Sequence, residues 1–355
     1  MSVTDFVCTN CGAALAYDPA SGRLRCATCG TANEIAREGE VTEHSFAAFL
    51  EGGRGLAKLS EAALEVTCSA CGATVEFEPP QVAGECPFCA TRIVMQPKAA
   101  DPLIAPGAVL PFGIDQRRSN ELIRAWISGL WFAPSALQAL ATLDRVKGVY
   151  LPHWTFDAQT RTSYFGERGD RYTETEYVRD AQGRTVARQV QKVRWSSKSG
   201  AVSNAFDDLT IPATRAVNSE RLAALTPWDF ERLVPYQPAY LAGFQAQRYQ
   251  VSLPDAFTLA KQDMEPSIRA TIRRDVGGDE QRIHSMNTRY YEVAFKHVLL
   301  PVWLGAYRFE GRVFQVCVNA RTGEVQGERP YSWIKISLAV LVVILVIVIL
   351  ANVLK

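Results

Sequence analysis

Four Cys-x-x-Cys pairs, Cys8/Cys11, Cys26/Cys29, Cys68/Cys71 and Cys86/Cys89, take up eight of the nine cysteines in this chain of 355 residues. In each set the second pair follows after the same 14 residues, Gly12 to Arg25 and Gly72 to Glu85, and the sets are offset by 60. The repeat extends beyond sulfur. Gly12, Ala13 and Pro19 recur as Gly72, Ala73 and Pro79, and Tyr17-Asp18 as Phe77-Glu78. Such matched spacing is an internal duplication. A Cys-x-x-Cys turn presents two thiolates to one metal, and two turns complete a tetrahedral four-sulfur shell. The pattern predicts two small tandem β zinc ribbons, over residues 1–35 and 66–97. One would hold Zn²⁺ through Cys8, Cys11, Cys26 and Cys29, the other through Cys68, Cys71, Cys86 and Cys89. Four protein ligands leave no position for water or substrate, so both zinc ions are expected to be structural. Gly12, Gly30 and Gly72 each follow a second cysteine, where a tight knuckle favours positive φ, and Ala90 takes that place in the fourth. Disulfides or a thioredoxin-like redox motif would also use paired cysteines. Four matched motifs in a reduced compartment fit metal better. Cys317 stands alone in a Val-rich strand pattern, as a small buried hydrophobe.

The opposite end is as distinctive. From Ile336 to Leu354 run 19 residues without a charge, which as a helix reach roughly 28 Å, close to the hydrocarbon thickness of a bilayer. Tyr331 and Trp333 precede the run where interfacial aromatics belong, and Lys335 marks its edge. A buried core helix is the alternative, but it seldom lacks a polar face over such a length. The first residues show neither the basic start nor the apolar run of a signal peptide. Segment 334–355 is therefore expected to be a single-pass transmembrane tail anchor. Arg321, Arg329 and Lys335 before the span, against Lys355 after it, place the N-terminal bulk in the cytoplasm.

Charge separates the function classes. With 38 Lys+Arg against 37 Asp+Glu the net charge is +1, which excludes a strongly basic nucleic-acid binder. Residues 1–100 hold seven bases and twelve acids, a balance of −5, leaving +6 for residues 101–355. Each tetrathiolate zinc adds about −2 more. Phosphate neutralisation drives nucleic-acid affinity, so an acidic module favours protein contact instead. Arg23 and Arg25 keep a nucleic-acid reading open.

Between the ends, residues 36–65 read as a helical linker. Ser45, Phe46, Phe49 and Leu50 suggest one short helix before Gly52-Gly53-Arg54-Gly55, and Leu56, Leu59, Ala62 and Ala63 suggest another. Residues 98–111 read as a Pro-rich connector and a domain boundary. Residues 112–330 read as an α+β scaffold domain with antiparallel strands. Leu122, Ile123, Trp126, Ile127 and Leu130 form one apolar helix face, and Leu137, Leu140, Leu143 and Val146 mark a helix after Pro134. Strands are expected from Val149 to Phe156, Tyr172 to Val178 and Arg184 to Trp195, with a hairpin turn at 180–183. A helix from Pro254 to Arg274 follows. Val298 to Tyr307 and Arg312 to Val318 close the domain as strands, with a turn at 319–323.

No phosphate loop, dinucleotide fingerprint, His-Glu-x-x-His or Gly-x-Ser-x-Gly motif occurs. His44, His153, His284 and His297 have no neighbour at metal-ligand spacing, and His153 reads as a packed strand residue. Asp207-Asp208 reads as a loop feature or helix cap. Arg184, Arg188, Lys192 and Arg194 share a strand face. They form either a basic stripe for anionic headgroups or an acidic partner, or an ordinary solvated face.

Several motifs carry a family resemblance. They are Leu110-Pro-Phe, Gly129-Leu-Trp-Phe-Ala-Pro, Lys147-Gly-Val-Tyr-Leu-Pro-His-Trp-Thr-Phe-Asp157, Ser163-Tyr-Phe-Gly-Glu-Arg-Gly169, Leu300-Pro-Val-Trp-Leu, Asn319-Ala-Arg-Thr-Gly-Glu-Val and Gly327-Glu-Arg-Pro-Tyr-Ser332. Together with the tandem ribbons they resemble a bacterial family of TFIIB-type zinc ribbon-containing, or primosomal protein N′-like, proteins, over nearly the whole chain. Helicase activity is not expected, because the chain lacks a phosphate loop. Membrane-anchored relatives are linked to envelope stress. The resemblance implies an inner-membrane location and phage-shock protein A-like or SPFH-domain partners. The expectation is a non-enzymatic membrane adaptor whose ribbons dock cytoplasmic proteins, with a membrane-tethered nucleic-acid-binding regulator as the alternative. Chelation is expected to unfold residues 1–97 and spare the later domain.

Overall fold

The computed structural model describes residues 6, 8–13, 15–36, 39–52, 64–67, 72–77, 83–85, 88, 92–94, 98–99, 104–134, 137, 146–179, 183–309 and 312–353. The first ribbon is a three-stranded sheet of β1 (Leu15–Asp18), β2 (Arg23–Cys26) and β3 (Ala32–Asn33). Then come β4 (His44–Ser45) and the one-turn α1 (Phe46–Leu50). The second cysteine-rich region supplies β5 (Leu64–Thr67), β6 (Thr74–Phe77), β7 (Ala83–Glu85), β8 (Arg92–Val94) and β9 (Lys98–Ala99). Displaced by 60 residues, β1, β2 and β3 fall on β6, β7 and β8, but the pairing differs: β6 pairs with β5, and β7 with β8 in a separate sheet. Cys68, Cys71, Cys86 and Cys89, and the helix expected over Leu56 to Ala63, lie outside the described residues.

The rest is built on a sheet that has nine strands among the described residues. After β10 (Ala108–Val109) and α2 (Gln116–Ser128), β11 (Lys147–Arg179) and β12 (Thr185–Pro212) form a long hairpin. Next come α3 (Ser219–Ala223), β13 (Val234–Pro235), β14 (Gln245–Ala246) and α4 (Leu253–Val276). Then β15 (Glu280–Phe309), β16 (Arg312–Asn319), β17 (Val325–Gly327) and α5 (Trp333–Val353) complete the chain. The principal order is β12-β11-β15-β10-β13. At about 3.3 Å per residue, the 33 residues of β11 extend roughly 100 Å. The expected strands are present but longer: those at 149–156 and 172–178 merge into β11, that at 184–195 lengthens into β12, that at 298–307 is the end of β15, and that at 312–318 is β16; most of the turn expected at 180–183 lies outside the described residues. Asp207-Asp208 is inside β12, at a bulge opposite Asp157, and is neither loop nor helix cap.

Side-chain alternation divides the sheet into two faces. Val149, Leu151, Val298, Leu300 and Cys317 pack on one. Tyr150, Leu299, Trp303, Val316 and Val318 pack on the other, against Ile123 and Ile127 of α2. Further along, Trp154 and Phe156 meet α4, whose buried Ala256, Phe257, Ala260, Met264, Ile268, Ile272 and Val276 recur at helical spacing. Ser252 caps that helix through the Asp255 N–H, with Pro254 in the first turn.

The stretch read as a connector is built into this core in its second half. Val109 pairs with Leu299 on one side and Val234 on the other, and Leu110 and Phe112 are fully buried. The family-like motifs also have structural roles. Asn319 Oδ1 accepts from the Arg321 and Thr322 N–H groups, closing the turn, while Arg321 pairs with Asp229 at 2.6 Å. The Trp154 indole donates to Val251 O, and the Trp303 indole to Ile114 O. Finally, α5 is long and apolar enough to cross a membrane, and none of its most apolar stretch is buried by the domain.

Candidate metal centre

Two like knuckles hold the first sulfur set. Cys8 N–H donates to Ala13 O at 2.7 Å and Gly12 N–H to Cys8 O at 2.9 Å; Cys26 N–H donates to Thr31 O and Gly30 N–H to Cys26 O, both at 2.9 Å. Each knuckle turns back through a glycine at positive φ, 72° at Gly12 and 74° at Gly30. Gly72 repeats this at 71°. The four sulfurs of Cys8, Cys11, Cys26 and Cys29 lie within 4.8 Å of one another. Cys8–Cys29 and Cys11–Cys26 are each 3.5 Å apart. That is well beyond the ~2.05 Å of a disulfide. A tetrahedral zinc with ~2.3 Å bonds sets its sulfurs about 3.8 Å apart, so the cage is of the right size for zinc.

The electrostatics fit a divalent cation as well. The Thr31 hydroxyl and then the Thr31 N–H favour the Cys29 thiolate, pulling it down to about 5. The Cys29 N–H lowers Cys26, and burial opposes it. The Ala13 N–H pulls Cys11 down too, but Cys29, Cys26 and Cys8 crowding around it push it up to about 12. Four sulfurs this close cannot all ionise unaided, and a bound metal removes the conflict.

The ribbon is docked, not free. Leu15, Tyr17, Leu24 and Cys26 form its buried face by strict alternation, in one core with Phe112, Tyr150 and Tyr240. Tyr17 N–H donates to Ala242 O at 2.9 Å, its hydroxyl donates to Phe112 O at 3.3 Å, and its ring meets Tyr240 edge-on at 5.6 Å. Thr9, Asn10, Cys11 and Gly12 of one knuckle and Ala27 to Gly30 of the other are exposed. Arg23 is paired with Glu34 at 2.9 Å and Arg25 lies 3.8 Å from Asp18. In the second region, Ala73 and Phe88 are buried in the core cluster on the opposite sheet face.

The remaining singled-out residues fall elsewhere. Cys317 is fully buried, its thiol pushed up to about 12 by desolvation. His153 is a packed strand residue. Burial pulls it and His297 down to about 4, and their Nδ1 atoms face Leu151 O and Ile104 O. The basic stripe meets acids across the hairpin. Lys192 lies 2.9 Å from Glu174 and 2.7 Å from Glu176, Arg188 stands opposite Glu176, and Arg194 covers the Tyr172 ring. That is the ordinary solvated face.

One constellation has no sequence motif. Lys296, almost buried, bridges Glu43 at 2.9 Å and Asp208 at 2.7 Å. Asp208, at φ 49°, donates its N–H to Asp157 at 2.6 Å, where β12 bulges against β11. Burial pushes Asp157 up to about 6, the neighbouring Glu43 adding to the rise, while Lys296 holds Glu43 low. The cluster borders a cleft of about 740 Å³ lined by Glu43, Phe257, Lys261, Tyr290 and Glu292. Its carboxylates are directed at Lys296 and at each other, so it ties β4 to the three long strands.

The chain is similar to the uncharacterized protein YdjG of Bacillus subtilis (strain 168), at 26% identity over 340 residues, 93% of this chain and 91% of that protein. No protein-family model matches, and no solved structure matches significantly. Coverage of nine-tenths of both chains makes this a relative along the length of the molecule.

Proposed function

We propose that this chain is a membrane-anchored zinc-ribbon adaptor with no catalytic activity of its own. The four-sulfur cage carries the reading: Cys8, Cys11, Cys26 and Cys29 saturate one metal, and their knuckles stay exposed on a ribbon braced against the domain. A saturated metal offers no site to a substrate, whereas a rigid exposed loop pair suits a protein partner. In this account Cys68, Cys71, Cys86 and Cys89 hold a second structural zinc, as the repeated glycine conformation and strand placement support. Helix α5 spans a bacterial inner membrane, and Arg329 and Lys335 at its start favour the cytoplasmic side for the bulk of the chain. Envelope stress is the proposed setting, and phage-shock protein A-like or SPFH-domain proteins the proposed partners, on the family resemblance. A nucleic-acid regulator is the weaker reading, because Arg23 and Arg25 are already paired with acids.

Photo-crosslinking from Asn10 and Thr28 in membranes, read by mass spectrometry, tests the adaptor. Protein adducts lost in Cys26→Ser and Cys68→Ser variants are expected. Adducts to lipid or nucleic acid alone, or adducts unchanged in both variants, count against it.

A further inference from the structure

We propose that the loop Trp131-Phe132-Ala133 seats the folded domain on the bilayer interface, as a second membrane contact beside the start of α5. The inference rests on the reading of α5 as a membrane span.

Of the seven tryptophans, only Trp131 and Trp333 are exposed, at 76% and 78%; the other five are buried or half-buried. The two occur on segments bound side by side. Ser332 N–H donates to Phe132 O at 2.7 Å, and Lys335 Nζ donates to Ala133 O at 2.8 Å. The backbone after Trp131 is thus fixed along the residues that flank Trp333. The rings of Trp131 and Phe132 are stacked at 5.6 Å and 25°, and Phe132, Tyr331 and Ile334 are exposed too. So large an apolar aromatic area in water would be costly. At the headgroup level the same rings are favoured, because they offer a flat apolar body with a polar edge.

The charges agree. No acid occurs from Arg329 to the end of the chain or in the loop from Gly129 to Pro134. Arg329 stands 5.4 Å over the Tyr331 ring, and Lys335 keeps its amine at the domain surface instead of in lipid. The occupant is therefore a lipid interface bearing anionic headgroups. Because α2 runs into the loop at Gly129 and the Ile127 and Leu130 side chains are in the core, the contact fixes the attitude of the whole domain to the membrane.

The test uses the full-length chain in vesicles of phosphatidylethanolamine and phosphatidylglycerol, with and without lipids brominated near the glycerol end of their acyl chains. Tryptophan emission is read for the wild type, Trp131→Phe, Trp333→Phe and the double variant, and flotation reports membrane association. The expected result is quenching of the wild type, a loss of quenchable emission in each single variant, and almost no quenching in the double variant. If the chain floats and only Trp333 is quenched, the loop contact is overturned while the span stands. If Trp131 is unquenched by lipid yet shielded from iodide, the loop belongs to a protein interface and the proposal fails. If the chain does not float, the span and the loop contact fall together.

Discussion

Replacing Tyr17 with alanine tests whether the four-cysteine ribbon and the domain are one cooperative structure. Tyr17 is 6% exposed, its ring packs on Tyr240 and Phe244, and its hydroxyl and N–H each reach a carbonyl of the domain. Truncating a buried aromatic costs about 3–5 kcal/mol, of which the hydroxyl bond accounts for about 0.5–1.5 kcal/mol. Tyr17→Phe should therefore cost about 1 kcal/mol and Tyr17→Ala several times more. Hydrogen exchange by mass spectrometry reads this locally. The Tyr17 amide donates to Ala242 O, so a loss of about 3–5 kcal/mol should speed exchange over 15–18 and 240–244 by about 10² to 10⁴-fold. Zinc removal should have a similar effect and should lower the thermal midpoint of the sheet domain as well, because Leu15, Tyr17 and Leu24 share its core. Unchanged exchange over 240–244 in Tyr17→Ala, together with an unchanged domain midpoint after chelation, would refute the coupling and return the ribbon to an independent module.

Three further substitutions probe the sheet. Asp157 binds its proton more tightly folded than unfolded, with its carboxyl raised from 3.8 to about 6. It therefore adds stability at low pH that disappears as pH rises through 6. Asp157→Asn should remove the fall in urea-unfolding stability between about pH 4 and 6; a slope retained in the variant assigns it to other groups. Lys296→Met should cost about 3 kcal/mol, at the lower end for a broken buried pair because Glu43 and Asp208 are partly hydrated; a neutral result in urea unfolding would mean the cluster does not hold β4. A Cβ at Gly166 would collide with Arg282 O at the register shift between β11 and β15. Gly166→Ala should then speed amide exchange over 166–171, and unchanged protection there would show that the bulge absorbs it.

What the sequence reveals and what it conceals follow from range. The knuckles are legible because ligands and glycines lie within a few residues of one another, and α4 because its apolar positions recur every three or four residues. The docking of Tyr17 is not, because its partners are Phe112 and Ala242, about 100 and 225 residues away. The central part of β11 escapes a hydropathy reading for another reason. Its inward positions include Thr160, Thr162 and Gly166, and the threonines satisfy their hydroxyls inside, Thr162 on Thr288 at 2.9 Å and Thr160 on Asn204 O. Alternation survives there while hydrophobicity does not. Residues 280–297 of β15 are concealed otherwise: Ile283, Met286, Tyr290 and Val293 pack inward, but register shifts against β11 break their alternation. At 98–111, proline and alanine suggest a linker, yet Ala108 is fully buried in a strand paired with both β15 and β13, partners more than 120 residues away. The Lys296 cluster draws on four distant segments, and no local spacing could announce it.

The central claim is a saturated sulfur cage at each ribbon. Zinc X-ray absorption on the full-length chain, purified under reducing conditions and paired with metal analysis, measures it directly. The account predicts two zinc ions per chain, each surrounded by four sulfurs at about 2.3 Å with no lighter ligand. A nitrogen or oxygen atom in the coordination shell, or a chain that carries no zinc, contradicts it.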